Sequence, residues 1–322
     1  MIITSPRGRT VILTVLLALA GGCASPSQPT SFATPEAAVQ SLVDALRRDD
    51  QATLDKILAP AGDDILTSGD KVADRANVDR FLAMYDAGHH FESGGEGVTT
   101  LLVGQSDWPF PVPIVSSKKG YVFDSETGRD EILNRRIGRN ELDAEQVCLA
   151  IADAQREYVT RNPTSSDLPE YARKLVSDPG KKDGLYWPTD EGEPPSPMGP
   201  LVASAADEGY GAKSVTSAGP RAYHGYRYRL LTRQGAHAKG GAMDYEVDGK
   251  LIGGFAVVAY PAQYGNSGIM TFITNHDGVV YQRDLGPDTQ RLAEAMTEFD
   301  PGPEWTRSTE GDGDAATVAK RD

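Results

Sequence analysis

Apolar positions along this chain change rhythm several times. From Thr34 the period is helical. Thr34-Pro35-Glu36 supplies an N-cap, a proline in the first turn and an early acid, the usual helix-start signals. Ala38, Leu42, Ala45 and Leu46 then fall on one face before the charged Arg47-Arg48-Asp49-Asp50. A second short helix is predicted over Thr53 to Leu58, stopped before Pro60, and a third carries Val78, Phe81, Leu82 and Tyr85. Three β-like stretches follow at Val98 to Val103, Phe110 to Val115 and Tyr121 to Phe123. From Thr127 the pattern is helical again. A short piece holds Ile132, Leu133 and Ile137, Gly138 interrupts it, and a longer helix runs from about Asn140 to Thr160. Its stripe is Val147, Ile151, Ala154 and Tyr158, at a spacing that puts all four against a core.

Residues 162–200 are rich in loop signals, and a short helix is predicted over Leu201 to Glu208. The last third alternates as strands do. Tyr226 to Leu231 reads as half-buried, and Leu251 to Tyr260, apolar on both faces, reads as a central strand. Ile269 to Thr274 and Val279 to Gln282 are joined by Asn275-His276-Asp277-Gly278, a turn with the Asp-Gly signal. A helix over Pro287 to Phe299 closes the pattern. The whole predicts an α+β fold. Residues 34–126 form N-terminal helices with a small curled antiparallel sheet. Residues 127–305 form a long helix packed on an antiparallel sheet, and 306–322, without apolar periodicity, form a disordered tail.

Ahead of all this lies an apolar run, Val11 to Leu19, preceded by Arg7 and Arg9 and followed by Ala20-Gly21-Gly22-Cys23. A basic flank, a short apolar stretch and small residues make an export signal. The cysteine directly after it resembles a bacterial lipobox. Residues 1–22 are therefore expected to be a lipoprotein signal peptide, Cys23 the lipidated residue, and 23–33 a flexible tether. The apolar run falls short of the ~20 residues of a spanning helix, so attachment to the membrane is expected through the lipid on Cys23. Ala24, rather than Asp, follows the cysteine. By analogy with enterobacterial sorting this points to the outer membrane, facing the periplasm.

Charge narrows the partners. The formal net charge is −14 and becomes −16 once residues 1–22 and their two arginines are removed. That argues against nucleic acid, which is bound through Lys and Arg, and against docking on anionic lipid through a basic face. With Cys23 lipidated, Cys148 is alone. Beside an apolar helical stripe it reads as a buried, inert thiol, since a reactive one needs an electropositive, open setting.

Several phrases resemble known families. Thr34-Pro35-Glu36-Ala37-Ala38-Val39, with the Ala-Leu-Arg-x-Asp phrase Ala45 to Asp49, is similar to the first helix of cone-shaped domains of the nuclear-transport-factor-2 type. Asp107-Trp108-Pro109-Phe110-Pro111, Ile137-Gly138-Arg139-Asn140-Glu141-Leu142, Asp183-Gly184-Leu185-Tyr186-Trp187-Pro188 and Gly253 through Gly286 arrive in the order and spacing of one family. They resemble the bacterial lipoproteins of domain of unknown function 2950 (DUF2950), over roughly residues 32–305. The resemblance implies an exported, lipid-anchored protein and brings no activity with it. The long helix, the glycine- and proline-rich loop, Gly225-Tyr226, Gly265 to Phe272 and Asp277-Gly278-Val279 also resemble the globular head of type IV pilin-like proteins. The apolar N-terminal half of the pilin helix and its cleavage motif are missing.

Candidate chemistry is sparse. Gly265-Asn266-Ser267-Gly268 invites a nucleophile at Ser267, with His276 or His224 as base and Asp277 as orienting acid. The tetrapeptide also reads as a plain turn and lacks the strand-to-helix setting of a nucleophile elbow. None of His89, His90, His224, His237 and His276 has zinc-ligand spacing, and no metal or other cofactor is expected. Asp63, Asp64, Asp70 and Asp74 depart from a calcium-loop pattern and read as helix-capping acids. Tyr186 and Trp187 are the best recognition residues, either as anchors for a ligand or partner or as packing that pins a loop. Two functions stay open. The leading one is a non-enzymatic binding or structural/assembly module that meets an envelope partner or ligand through its C-terminal domain; the alternative is an envelope hydrolase using Ser267 with a histidine base.

Overall fold

The structure, a computed structural model, describes residues 28–210 and 222–308. The leader with Cys23, the segment 211–221 and the tail from 309 lie outside the described residues.

The fold is α+β. Helix α1 (Pro35–Arg47) starts where its pattern predicts, with the Thr34 hydroxyl accepting from the Ala37 N–H at 3.2 Å. Helices α2 (Gln51–Ile57) and α3 (Gly62–Leu66) follow, then α4 (Lys71–Ala87), capped by the Asp70 carboxylate on the Val72 and Ala73 N–H groups. These helices cover an antiparallel sheet. Its strands are β1 (His89–Gly94), β2 (Val98–Val103), β4 (Ile114–Ser117) and β5 (Gly120–Phe123) in that order, with β3 (Trp108–Pro109) on β2. Strand β1 carries no apolar alternation because it is an exposed edge, and its pairing with β2 alone makes it a strand. The stretch Phe110 to Val115 is not one strand: prolines at 109, 111 and 113 divide it, and pairing resumes at Ile114. Leu42, Leu46, Leu58, Phe81, Leu101, Ile114 and Phe123 lie in the first core.

The tether is shorter than expected. Phe32 exchanges two backbone hydrogen bonds with Tyr121, each 2.8 Å, and packs its ring on this core, while the Thr30 N–H donates to Lys56 O. An aromatic residue with a core face to cover leaves the solvent, so the chain is fixed before Thr34.

Helix α5 runs unbroken from Ser125 to Arg161, about 55 Å at 1.5 Å per residue. Gly138 does not interrupt it. A helical glycine costs only about 1 kcal/mol against alanine, and packing on both sides of it outweighs that. Upstream, Gly128 and Ile132 lie on the first core. Downstream, the predicted stripe of Val147, Ile151, Ala154 and Tyr158 is buried with Cys148 in the second.

Beyond α5 come a parallel pair, β6 (Lys174–Val176) and β7 (Gly184–Tyr186), and helix α6 (Gly199–Asp207). Buried Gln155 satisfies the loop backbone at Ala172 as donor and acceptor, 2.8 and 2.9 Å. The second sheet begins with β8 (Tyr226–Leu231). Two small ribbons follow, β9 (Arg233–Gln234) with β10 (Met243–Asp244) and β11 (Glu246–Val247) with β12 (Lys250–Leu251). Then come β13 (Ala256–Pro261), β14 (Met270–Asn275), β15 (Tyr281–Asp284), helix α7 (Thr289–Ala295) and β16 (Thr306–Arg307). The order is β16-β15-β14-β13-β8. Strand β13 is an interior strand between β14 and the edge strand β8, all six of its residues are buried, and α5 and α7 both pack against it. It begins at Ala256 rather than Leu251. Gly254, at φ +146°, leaves no room for a Cβ beside the His276 ring, so Leu251 is buried from a separate ribbon. The tail is also pinned at its start, since β16 pairs with β15 and the Ser308 hydroxyl donates to Glu145 at 2.7 Å.

Among the described residues no helix is long and apolar enough to cross a membrane.

Candidate functional site

Helices α4 and α5 each present one face to a shared cavity. Asn77, Val78, Phe81 and Met84 do so from α4, and Ile132, Arg135, Arg136 and Arg139 from α5, both at helical spacing. Leu42, Leu46, Leu58, Ile65 and Leu66 line it from the first three helices and the turns between them, and Trp108, Phe110 and Pro111 from the β3 segment. The cavity is partly open, and its volume is about 300 Å³, at the lower end of the ~300–1,000 Å³ of small-molecule pockets. Phe81 and Phe110 meet at 4.9 Å between ring centroids, so much of the wall is aromatic and aliphatic.

The polar lining is basic. Arg135 is already committed: it pairs with Glu131 at 2.7 Å, donates to Pro109 O at 3.0 Å and lies 5.0 Å above the Trp108 ring. Arg80, Arg136 and Arg139 are different, because none of them makes an ion pair among the described residues. Arg136 donates to the Asn266 amide oxygen at 2.7 Å, and Arg139 to the Asn77 amide oxygen at 3.1 Å. Arg80 approaches that same oxygen at 3.5 Å. The nearby Asp74 accepts the Ser68 N–H at 3.0 and 3.2 Å. Burial pushes the Arg136 and Arg139 guanidiniums below their ordinary pKa, and for Arg139 the neighbouring Arg80 charge pushes the same way.

The Ser267 constellation is not assembled. The Ser267 hydroxyl donates to Gln263 O at 3.2 Å and accepts from the Gln263 N–H at 3.0 Å, closing its own turn. Strand β14 separates it from His276 and Asp277, and six extended residues span about 20 Å. The Nδ1 of His276 is buried without a hydrogen-bond partner beside Tyr245 and Phe255, and Asp277 faces Lys239 at 3.6 Å. His224 is nearer in the fold, since its neighbour Gly225 abuts Ser267. Its own nitrogens face Asp143 at 3.4 Å and Glu208 at 3.3 Å. What the tetrapeptide does is join the two halves: the Asn266 amide receives Arg136 and donates to Ser68 O at 3.1 Å.

Trp187 is a core side chain, edge-on to Tyr158 at 6.4 Å, and Tyr186 is partly buried against the same core. The Cys148 thiol is fully buried and burial pushes its pKa up. Asp70 caps α4 and also accepts the Tyr210 hydroxyl at 2.7 Å. No cluster of three or more His, Cys, Asp or Glu side chains suited to a metal occurs among the described residues. Cys23 lies outside them.

The cavity escapes a reading of the sequence because its lining comes from six separated segments with no ligation spacing. Its one local signal is three arginines within five residues of a helix, Arg135, Arg136 and Arg139, in an acidic chain. Two of the phrases that carry the family resemblance, at Asp107 to Pro111 and Ile137 to Leu142, meet at this cavity.

Fold and site together describe an α+β protein with a partly open, largely apolar cavity that several arginines line. The chain belongs to the family described as protein of unknown function (DUF2950), whose model matches residues 29–308. Neither a curated protein nor a solved structure matches it.

Proposed function

We propose that this is an exported, lipid-anchored protein of the cell envelope, held by a lipid on Cys23 in the outer membrane and facing the periplasm. It serves there as a non-enzymatic binding module, and the cavity between α4 and α5 is its ligand site. One observation carries the binding reading: three arginines without carboxylate partners gather at an apolar cavity of about 300 Å³. Arg136 is half-buried and Arg80 and Arg139 are exposed at its side, and such a positive cluster beside an apolar cavity draws an anion toward it. The leader pattern Val11 to Cys23 supports the anchor. The long helix laid across an antiparallel sheet is also in keeping with a pilin-type head, which is an assembly rather than a catalytic scaffold.

Cys23→Ser tests the anchor. The variant, with its leader removed, is expected in the soluble fraction with its fold intact by circular dichroism, because the lipid is the proposed attachment. Persistence in the membrane fraction refutes the anchor. The cavity reading is tested on the same soluble protein with decanol, a neutral apolar probe, followed by calorimetry and by the fluorescence of Trp108. One equivalent is expected to bind, and no saturable binding refutes the cavity as a ligand site.

A further inference from the structure

From the charge at the cavity we infer that its ligand is a single-chain amphiphile with a carboxylate head, a fatty acid or a molecule of that kind, lying with its chain among Leu42, Phe81 and Met84 and its head against Arg136 and Arg139. This rests on the cavity being a ligand site and specifies what enters it.

The polar groups at the cavity form two small hydrogen-bonded sets, with Arg135 held apart by Glu131 and Pro109. Arg139 and Arg80 share Asn77 Oδ1, Arg136 reaches Asn266, and Asn266 reaches Ser68, whose N–H is held by Asp74. Apart from Arg135, the remainder of the lining is aliphatic or aromatic. A ligand that satisfies both parts needs an apolar body and one polar end. The sign of that end is negative. Arg136 and Arg139 bond only to neutral amide oxygens, and the planar fork of a guanidinium matches a carboxylate through two parallel hydrogen bonds. Burial disfavours both charged guanidiniums, and around Arg139 the Arg80 and Arg135 charges stand against the single carboxylate of Asp143, so an anion there would relieve them, whereas at Arg136 Asp74 already does so in part. Asp74 on the same lining offsets part of the positive charge. It favours a singly charged carboxylate over a doubly charged phosphate monoester. The size argues for one chain, since a volume of about 300 Å³ is at the small end for ligand pockets and leaves no room for two long chains.

The experiment compares decanoate, decanol, decyl phosphate and decyltrimethylammonium on the full chain carrying Cys23→Ser, so that no attached lipid competes. Decanoate is expected to bind about tenfold more tightly than decanol, the worth of a charge-assisted hydrogen bond, and more tightly than decyl phosphate. The cationic probe is expected to bind more weakly than decanol. Salt should weaken decanoate and leave decanol unchanged. Arg136→Gln with Arg139→Gln is expected to cost decanoate about tenfold while decanol stays within about twofold. Decanoate no tighter than decanol overturns the carboxylate head and leaves the cavity reading standing, whereas failure of both overturns the cavity reading itself. Tighter decyl phosphate overturns the carboxylate in favour of a phosphate head. Should the double variant misfold, the four-probe comparison on the protein with both arginines still decides.

Discussion

Gly128 and Gly138 occupy the same helix under opposite constraints. A Cβ on Gly128 would lie 2.6 to 2.9 Å from three atoms of the fully buried Val112 side chain, so the helix can approach the first core here only because that atom is missing. Around Gly138 there is nothing within 4 Å. Alanine gains roughly 1 kcal/mol of helix propensity at either site, but at Gly128 it also overpacks a closed core, which costs about 1–3 kcal/mol. Gly128→Ala is therefore expected to destabilise by on the order of 1 kcal/mol, and Gly138→Ala to stabilise by about as much. Urea melts of the two variants check this, and an equal response at both sites would refute the close approach. A sequence shows two helical glycines and cannot say which of them touches a neighbour.

At the scale of elements, what could be read from the chain depended on burial. Helix α1 and the stripe on α5 were legible because one face of each meets a core, which stamps the 3.6-residue period on the sequence. Strand β13 was legible as interior because covering on both sides makes it apolar throughout. Strand β1 and the ribbons β9 to β12 were not, since exposed edge pairing leaves little apolar signal. Long-range pairing also decides the ends: Phe32 and Ser308 are fixed by Tyr121 and Val280, partners far along the chain. Val257 lies on β13 with no exposed surface, so Val257→Asp places an unpaired charge in the second core at a cost of several kcal/mol, roughly 3–5. The second core is expected to unfold. The first keeps its own apolar set from α1, α4 and the first sheet and shares only the start of α5, so it should survive. Limited proteolysis of the variant separates the outcomes. An intact C-terminal half would refute the interior place of β13, and loss of both halves would mean that α5 makes the molecule one cooperative unit.

Across the whole molecule, α5 is the common beam, and a small set of polar ties locks the halves beside it. Asn140 Nδ2 donates to Ser267 O at 2.9 Å, and one Glu141 carboxylate oxygen accepts the N–H groups of Ile269 and Met270 at 2.9 and 3.0 Å. Asn266 adds the contact with Ser68, and Tyr210 the contact with Asp70. The turn at Gly265–Gly268 thus sets the second sheet against the segment that leads into α4. Asn266 is also where joint and cavity meet, because its amide oxygen holds Arg136. Asn266→Ala removes that acceptor and the donor to Ser68 together. At partly buried positions the loss is expected to be about 1–2 kcal/mol. Amide exchange should quicken over residues 62–74, while β13 keeps its protection, since the core around it is untouched. Arg136 is freed in the same variant. An anion at the cavity mouth would no longer share it with Asn266, so decanoate should bind the variant at least as tightly as the parent. Unchanged exchange over 62–74 would show that Asn266 does not hold the joint, and weakened decanoate binding would show that Arg136 needs Asn266 to point into the cavity.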